Sequence, residues 1–169
     1  AFRKYYDRAG QTASNFEAGC GGYGYNDQYI GGRSDLCGFD SSGSEISARD
    51  SEIKSPALTV MFTDTAFRQV LSDGQTVFIE YSFTHPPFWP WYLASPGSYP
   101  STITGRPSPS IHFRHGCFTN VCWSDGHIGK ETMDLSAPYV THAIMTEEQT
   151  ANMALGWFGP DNNNFFDLK

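Results

Sequence analysis

The stretch Arg114-His115-Gly116-Cys117-Phe118-Thr119-Asn120-Val121-Cys122-Trp123-Ser124-Asp125-Gly126-His127 decides how this chain is read. Residues 119–124 form a short strand signal, preceded by another at 111–114. Asp125-Gly126 is a tight-turn pair that favours a two-residue hairpin, and 127–133 returns as a third strand. Gly116 and Asn120 are loop-forming residue types. Nine residues separate His115 from Asp125. The imidazole of His115 is therefore expected to donate to the Asp125 carboxylate across the hairpin and to pin its register. A catalytic His–Asp couple is the sharper alternative. It needs a nucleophile, and although Ser124 is adjacent, the chain contains no G-x-S-x-G elbow.

Outward from this hairpin the chain alternates weak elements with long irregular stretches. Residues 1–9 place Phe2, Tyr5, Tyr6 and Ala9 at i, i+3, i+4 and i+7, one apolar helical stripe that Gly10 stops. So short a helix is not stable alone, so 1–10 reads as the end of a longer, truncated one. Residues 11–50 are mostly irregular and include the glycine–tyrosine run Gly19 to Asn26. A strand signal runs from 57 to 63, with Pro56 at its start and Asp64 at its end. A stronger one covers 75–83 after the turn Ser72-Asp73-Gly74, with Val77, Ile79, Tyr81 and Phe83 on one face. Residues 84–110 form a long proline-rich loop carrying Phe88-Trp89-Pro90-Trp91-Tyr92. Thr146-Glu-Glu-Gln149 is a capping-box pattern that opens a helix to about Leu155, with Gly156 as its stop. The order implies an α+β fold in one domain spanning 1–169: a helix end, a small antiparallel sheet, long loops and a short late helix.

Composition narrows the function classes. Eighteen acidic residues against eleven basic ones leave a net charge of −7, so no basic face is available for nucleic acid. No run of apolar residues is long enough to cross a bilayer. The chain starts at Ala1, consistent with processing or with an expressed fragment. No phosphate loop or dinucleotide fingerprint occurs, since Gly19 to Gly24 lacks both the lysine and the spacing.

The four cysteines, Cys20, Cys37, Cys117 and Cys122, allow three pairings. The local solution, Cys20–Cys37 with Cys117–Cys122, staples two short loops and fits an oxidising compartment. Free buried thiols are the alternative. A zinc site using Cys117, Cys122 and the nearby His112, His115 and His127 is a third, although Cys-x4-Cys is wider than usual structural spacing. Trp89, Trp91 and Tyr92 offer either a sugar-stacking platform, a subunit contact or a folded-back satellite core.

The hairpin segment resembles the signature of the prepilin-type processing-associated His-X9-Asp-Gly domain family of pilin-like proteins. Arg114, His115, Gly116, Asn120, Val121, Trp123, Asp125, Gly126 and His127 carry the likeness. Tyr23-Gly24-Tyr25-Asn26 is similar to the family's Tyr-Gly-x-Asn segment, and Pro56 to Asp64 to its strand ending in Asp. In that family a cleaved leader and a long apolar helix precede a small β-rich head, with the helix end packed on the sheet. The loop 84–110 is then an insertion. The resemblance implies a non-enzymatic pilin-like or pseudopilin-like protein of the bacterial cell envelope, in type II secretion or a type IV pilus-like system. It would be anchored in the inner membrane with its head periplasmic or extracellular. Its partners would be other pilin-like subunits, met through the N-terminal helix. His115, Asn120, Asp125, Gly126 and His127 would set the hairpin. Related secretion pseudopilins carry calcium near their C-terminal side, which makes Asp161, Asn163 and Asp167 candidate oxygen ligands; no other cofactor is expected. An extracellular glycan-binding module built on the aromatic loop is the alternative function.

Overall fold

The computed structural model describes residues 21–37, 46–70, 73–94, 105–134 and 147–169. The expected helix end at 1–10 and Cys20 lie outside these residues. The elements run β1 (Tyr23–Tyr25), α1 (Ser34–Cys37), β2 (Val60–Asp64), β3 (Phe67–Val70), β4 (Thr76–Ile79), α2 (Pro90–Ala94), β5 (Ile111–His112), β6 (Phe118–Trp123), β7 (Ile128–Thr132), α3 (Glu147–Met153) and β8 (Leu155–Gly156). Strands pair antiparallel in the order β1-β2-β6-β7, with separate β3-β4 and β5-β8 pairs. Few short helices beside small antiparallel sheets make this an α+β fold.

The β6–β7 hairpin follows its alternation. Thr119, Val121 and Trp123 are buried, while Phe118, Asn120 and Cys122 on the other face are half-buried. Its turn is longer than the two residues expected. Gly126 N–H donates to the Trp123 carbonyl and Trp123 N–H to the His127 carbonyl, 2.9 and 3.0 Å, so three residues form the loop. Gly126 closes it at φ 91°, the left-handed position such loops require.

Several boundaries move for identifiable reasons. Residues 56–58 form a 3-10 turn with Pro56 at its first position, so β2 begins at Val60. The expected 75–83 strand stops at Ile79. Its continuation leaves β4 and runs alongside β1, where Tyr25 N–H donates to the Ser82 carbonyl and Thr84 N–H to that of Tyr25. α3 ends before Gly156, because Ala154 takes the positive φ of 49° and Gly156 is buried in β8.

The core lies on one face of the main sheet. Val60, Val121 and Trp123 meet Ile111, Phe113, Trp157, Phe158, Phe166 and Leu168 there. Asn26 locks this layer to the strands. It is fully buried, and its amide donates to the carbonyls of Val60 and Phe166 at 2.9 and 2.8 Å. On the opposite face Tyr25, Phe62, Cys122 and Ile128 stand in register across all four strands. Ile128 and Tyr23 on this side of the sheet are 68% and 60% exposed.

Candidate functional site

Asp64, the last residue of β2, is the centre of the His-X9-Asp-Gly region. It is 2% exposed. One carboxylate oxygen accepts the backbone N–H and the side-chain amide of Asn120, at 2.9 and 3.0 Å. The same oxygen lies 3.2 Å from His115 Nε2, and the other lies 3.7 Å from Arg114 Nε. A buried carboxylate needs this many donors, because stripping its hydration without replacement costs several kcal/mol (~order of magnitude).

Arg114 extends the knot to β1. Its guanidinium donates to the carbonyls of Gly22 and Thr65, at 2.9 and 2.6 Å. Gly22 has φ +74°, and a Cβ there would sit 2.9 Å from the guanidinium nitrogens. Glycine is required both for the backbone conformation and for the approach of the arginine. His115 itself is half-exposed and stacks on Phe118, with ring centroids 5.9 Å apart. His112 is pushed down to about 4 by burial and by the neighbouring Arg114, so it is neutral at physiological pH.

The expected His115–Asp125 bond is not formed. Asp125 sits at the exposed hairpin tip, 2.6 Å from Nδ1 of His127, and also accepts the His127 N–H at 3.1 Å. The turn brings residues two apart together more readily than it brings a strand start to a strand end. His127 N–H and ring hold the Asp125 carboxyl below its usual range. The His127 ring lies over Trp123 at 5.8 Å. Asn120 is not a loop residue either; it is inside β6 with its amide on Asp64. Ser124 donates its hydroxyl to the Thr59 carbonyl at 3.0 Å, so it lies with neither His115 nor Asp64 in a nucleophilic arrangement.

The cysteine and metal expectations are also corrected. Cys117 and Cys122 are free thiols. Strand β6 carries Cys122 roughly 13 Å past Phe118, leaving its Cα at least ~9 Å from that of Cys117, beyond the ~7 Å a disulfide spans. The Cys20–Cys37 pairing involves Cys20, which lies outside the described residues. No cluster of three His, Cys, Asp or Glu able to hold a metal occurs among the described residues. The zinc set is dispersed, with His115 on Asp64 and His127 on Asp125.

The three calcium candidates turn to different partners. Asp161 accepts Arg106 Nη2 on both carboxylate oxygens, at 2.5 and 2.6 Å. Asn163 is buried, accepting the Phe88 N–H and donating to Tyr29 Oη and the Phe88 carbonyl. Asp167 accepts the Lys169 N–H.

The aromatic loop folds back. α2 carries Trp91 into the interior, where it is 5% exposed. Trp89 stacks on it at 6.0 Å and Tyr92 meets it edge-on at 6.1 Å. The three rings form a satellite cluster and not an open sugar platform.

Sequence reading missed two residues that organise the site, Asp64 as a hub and Asn26 as a clip. Both act on partners far along the chain, and the only signal for either was its place in a quoted segment. Comparison of the chain with protein-family models, curated proteins and solved structures finds no match.

Proposed function

We propose that this chain is the globular head of a pilin-like or pseudopilin-like protein of the bacterial cell envelope, acting by assembly and surface display and not by catalysis. The observation that carries the reading is the row Tyr25, Phe62, Cys122 and Ile128, in register across the main sheet, of which Phe62 and Ile128 are 37% and 68% exposed. Exposed apolar side chains gathered beside the Asp64 knot on the second face of the sheet mark a place for a partner. Residues 1–9 supply a matching stripe in Phe2, Tyr5, Tyr6 and Ala9, so the end of a stalk helix is the proposed occupant. The stalk would continue into the inner membrane and bundle with neighbouring subunits. Among the described residues no helix is long and apolar enough to cross a membrane.

The polar groups of the His-X9-Asp-Gly region support the same reading. Asp64, Arg114, His115 and Asn120 bind one another and the backbone, joining the 114–127 segment to the end of the 56–64 segment and to Gly22, the residue before Tyr23.

Two measurements test it. The reading frame upstream of Ala1 should encode a short basic leader and about 20 apolar residues; a frame without them overturns the proposal. In the full-length protein, Phe62→Glu with Ile128→Glu should leave the head folded and abolish cross-linking between residues 1–9 and the main sheet. Undiminished cross-linking would count against the face assigned.

A further inference from the structure

Away from the sheet face, a cleft of about 930 Å³ opens between the C-terminal segment, the 3-10 turn at Asp50–Glu52 and α2. We propose that this cleft binds a neutral carbohydrate, with Tyr29 Oη, Asn162 and Asn164 as its hydrogen-bonding groups. The inference stands independently of the assembly reading.

Charge comes first. Arg33, Lys54 and Lys169 among the lining residues are balanced by Asp35, Glu52 and Asp167. Arg33 is occupied by Asp35 and Glu52, at 2.9 and 2.7 Å. The cleft therefore has no net preference for an anion or a cation.

Its floor carries an unused donor. Tyr29 is 7% exposed, and its phenol oxygen accepts Asn163 Nδ2 at 2.8 Å. That contact occupies an oxygen lone pair and leaves the O–H proton to donate. Burial pushes the phenol up to about 12, so the proton is present at neutral pH. A buried hydroxyl with a proton to give, in the wall of a cleft, calls for an acceptor from a ligand or water.

The rim adds groups of both kinds. Asn162 Oδ1 accepts the Asn164 N–H at 2.8 Å, and Asn162 and the exposed Asn164 both line the cleft and bring amide donors and acceptors to it. Asp167 Oδ1 accepts the Lys169 N–H at 3.1 Å, leaving its second oxygen as an acceptor. Mixed donors and acceptors without net charge suit hydroxyl groups, which serve as both. Pro90, Leu93 and Leu168 provide apolar wall for the C–H surface of a sugar ring. A peptide is disfavoured because the walls are turns and a short helix and offer no strand edge to extend.

The test is a glycan array of neutral and anionic oligosaccharides, followed by a 1H–15N titration of residues 1–169 with the strongest neutral sugar. Saturable shifts of the Asn162 and Asn164 side-chain amides and of Ser51 are expected. The exposed substitution Asn164→Ala should weaken binding about tenfold, with Tyr29→Phe weakening it comparably. If Tyr29→Phe does not fold, Asn164→Ala decides. The proposal is overturned if no neutral sugar gives saturable shifts, if only anionic glycans bind, or if shifts fall on Trp89 and Tyr92 instead. Shifts of the cleft residues by a pool of short unstructured peptides, with none from sugars, overturn it equally.

Discussion

His115 presents Nε2 at 3.2 Å from the buried carboxylate of Asp64, joining the start of the signature hairpin to the end of β2. The pair is unequal: Asp64 is 2% exposed and collects further donors, whereas His115 is half in solvent. Removing the hub should therefore cost far more than removing its visible partner. Asp64→Ala is expected to destabilise the fold by about 3–5 kcal/mol, since it leaves Arg114 and the Asn120 donors without their anion. His115→Ala should cost about 1 kcal/mol. Urea unfolding of the two variants checks the order, and equal losses would show that Asp64 is not the hub.

Stability should fall as the solution is acidified below about pH 6.5, the ordinary histidine range. His85 is buried against Tyr81 and Ser108, and desolvation pushes it down to about 4. Between those two values the unfolded chain binds a proton that the folded chain refuses, so acid favours unfolding. For His85 alone the loss from about pH 7 to about pH 5 is ~2 kcal/mol. His112, also pushed down to about 4, adds a smaller share because it is partly solvated. Asp27 acts in the opposite sense: burial raises it to about 6, so the folded chain takes up its proton first. Asp27→Asn should steepen the acid loss and His85→Gln should flatten it, both read from unfolding midpoints against pH.

Glycine positions separate crowding from backbone strain. A Cβ on Gly24 would meet the side chain of Thr65 and lie 2.6 Å from the Phe83 backbone, neither of which can swing away. Gly24→Ala is expected to cost about 3 kcal/mol or more, or to prevent folding. Gly74 has φ +79° with open space around it, so Gly74→Ala should carry only the left-handed penalty of about 1 kcal/mol. Thermal unfolding of the two proteins measures the contrast.

Thiol labelling should resolve two classes. Cys117 is exposed and Cys122 half-buried, both free. In native protein Cys117 should react first with a maleimide and Cys122 more slowly, and Cys117→Ser should remove the fast phase alone. A mass showing a Cys117–Cys122 crosslink before labelling would contradict the extended strand between them.

The β6–β7 hairpin was legible because alternation and an Asp-Gly turn are local signals, and α3 because its capping pattern lies within four residues. The separation of β3–β4 from the main sheet was not. Phe67–Val70 has no strong periodicity and becomes a strand only because β4 pairs with it. The site failed in the same way. Asp125 was read as the partner of His115 because it shares the hairpin, while Asp64 wins because burial gives its charge a greater need for donors. Asn163 stands with Asp161 and Asp167 as a calcium candidate in the sequence, yet its amide turns inward to hold Tyr29 and Phe88.

The clip formed by Asn26 has a kinetic consequence. Its amide reaches Phe166, and Val60 N–H reaches the Phe165 carbonyl. The first strand and the last aromatic segment must therefore meet before the interior can close. During synthesis the early part of the chain has to wait for residues 165 and 166 to leave the ribosome. Until then the core layer lacks Phe166 and Leu168 and cannot be completed.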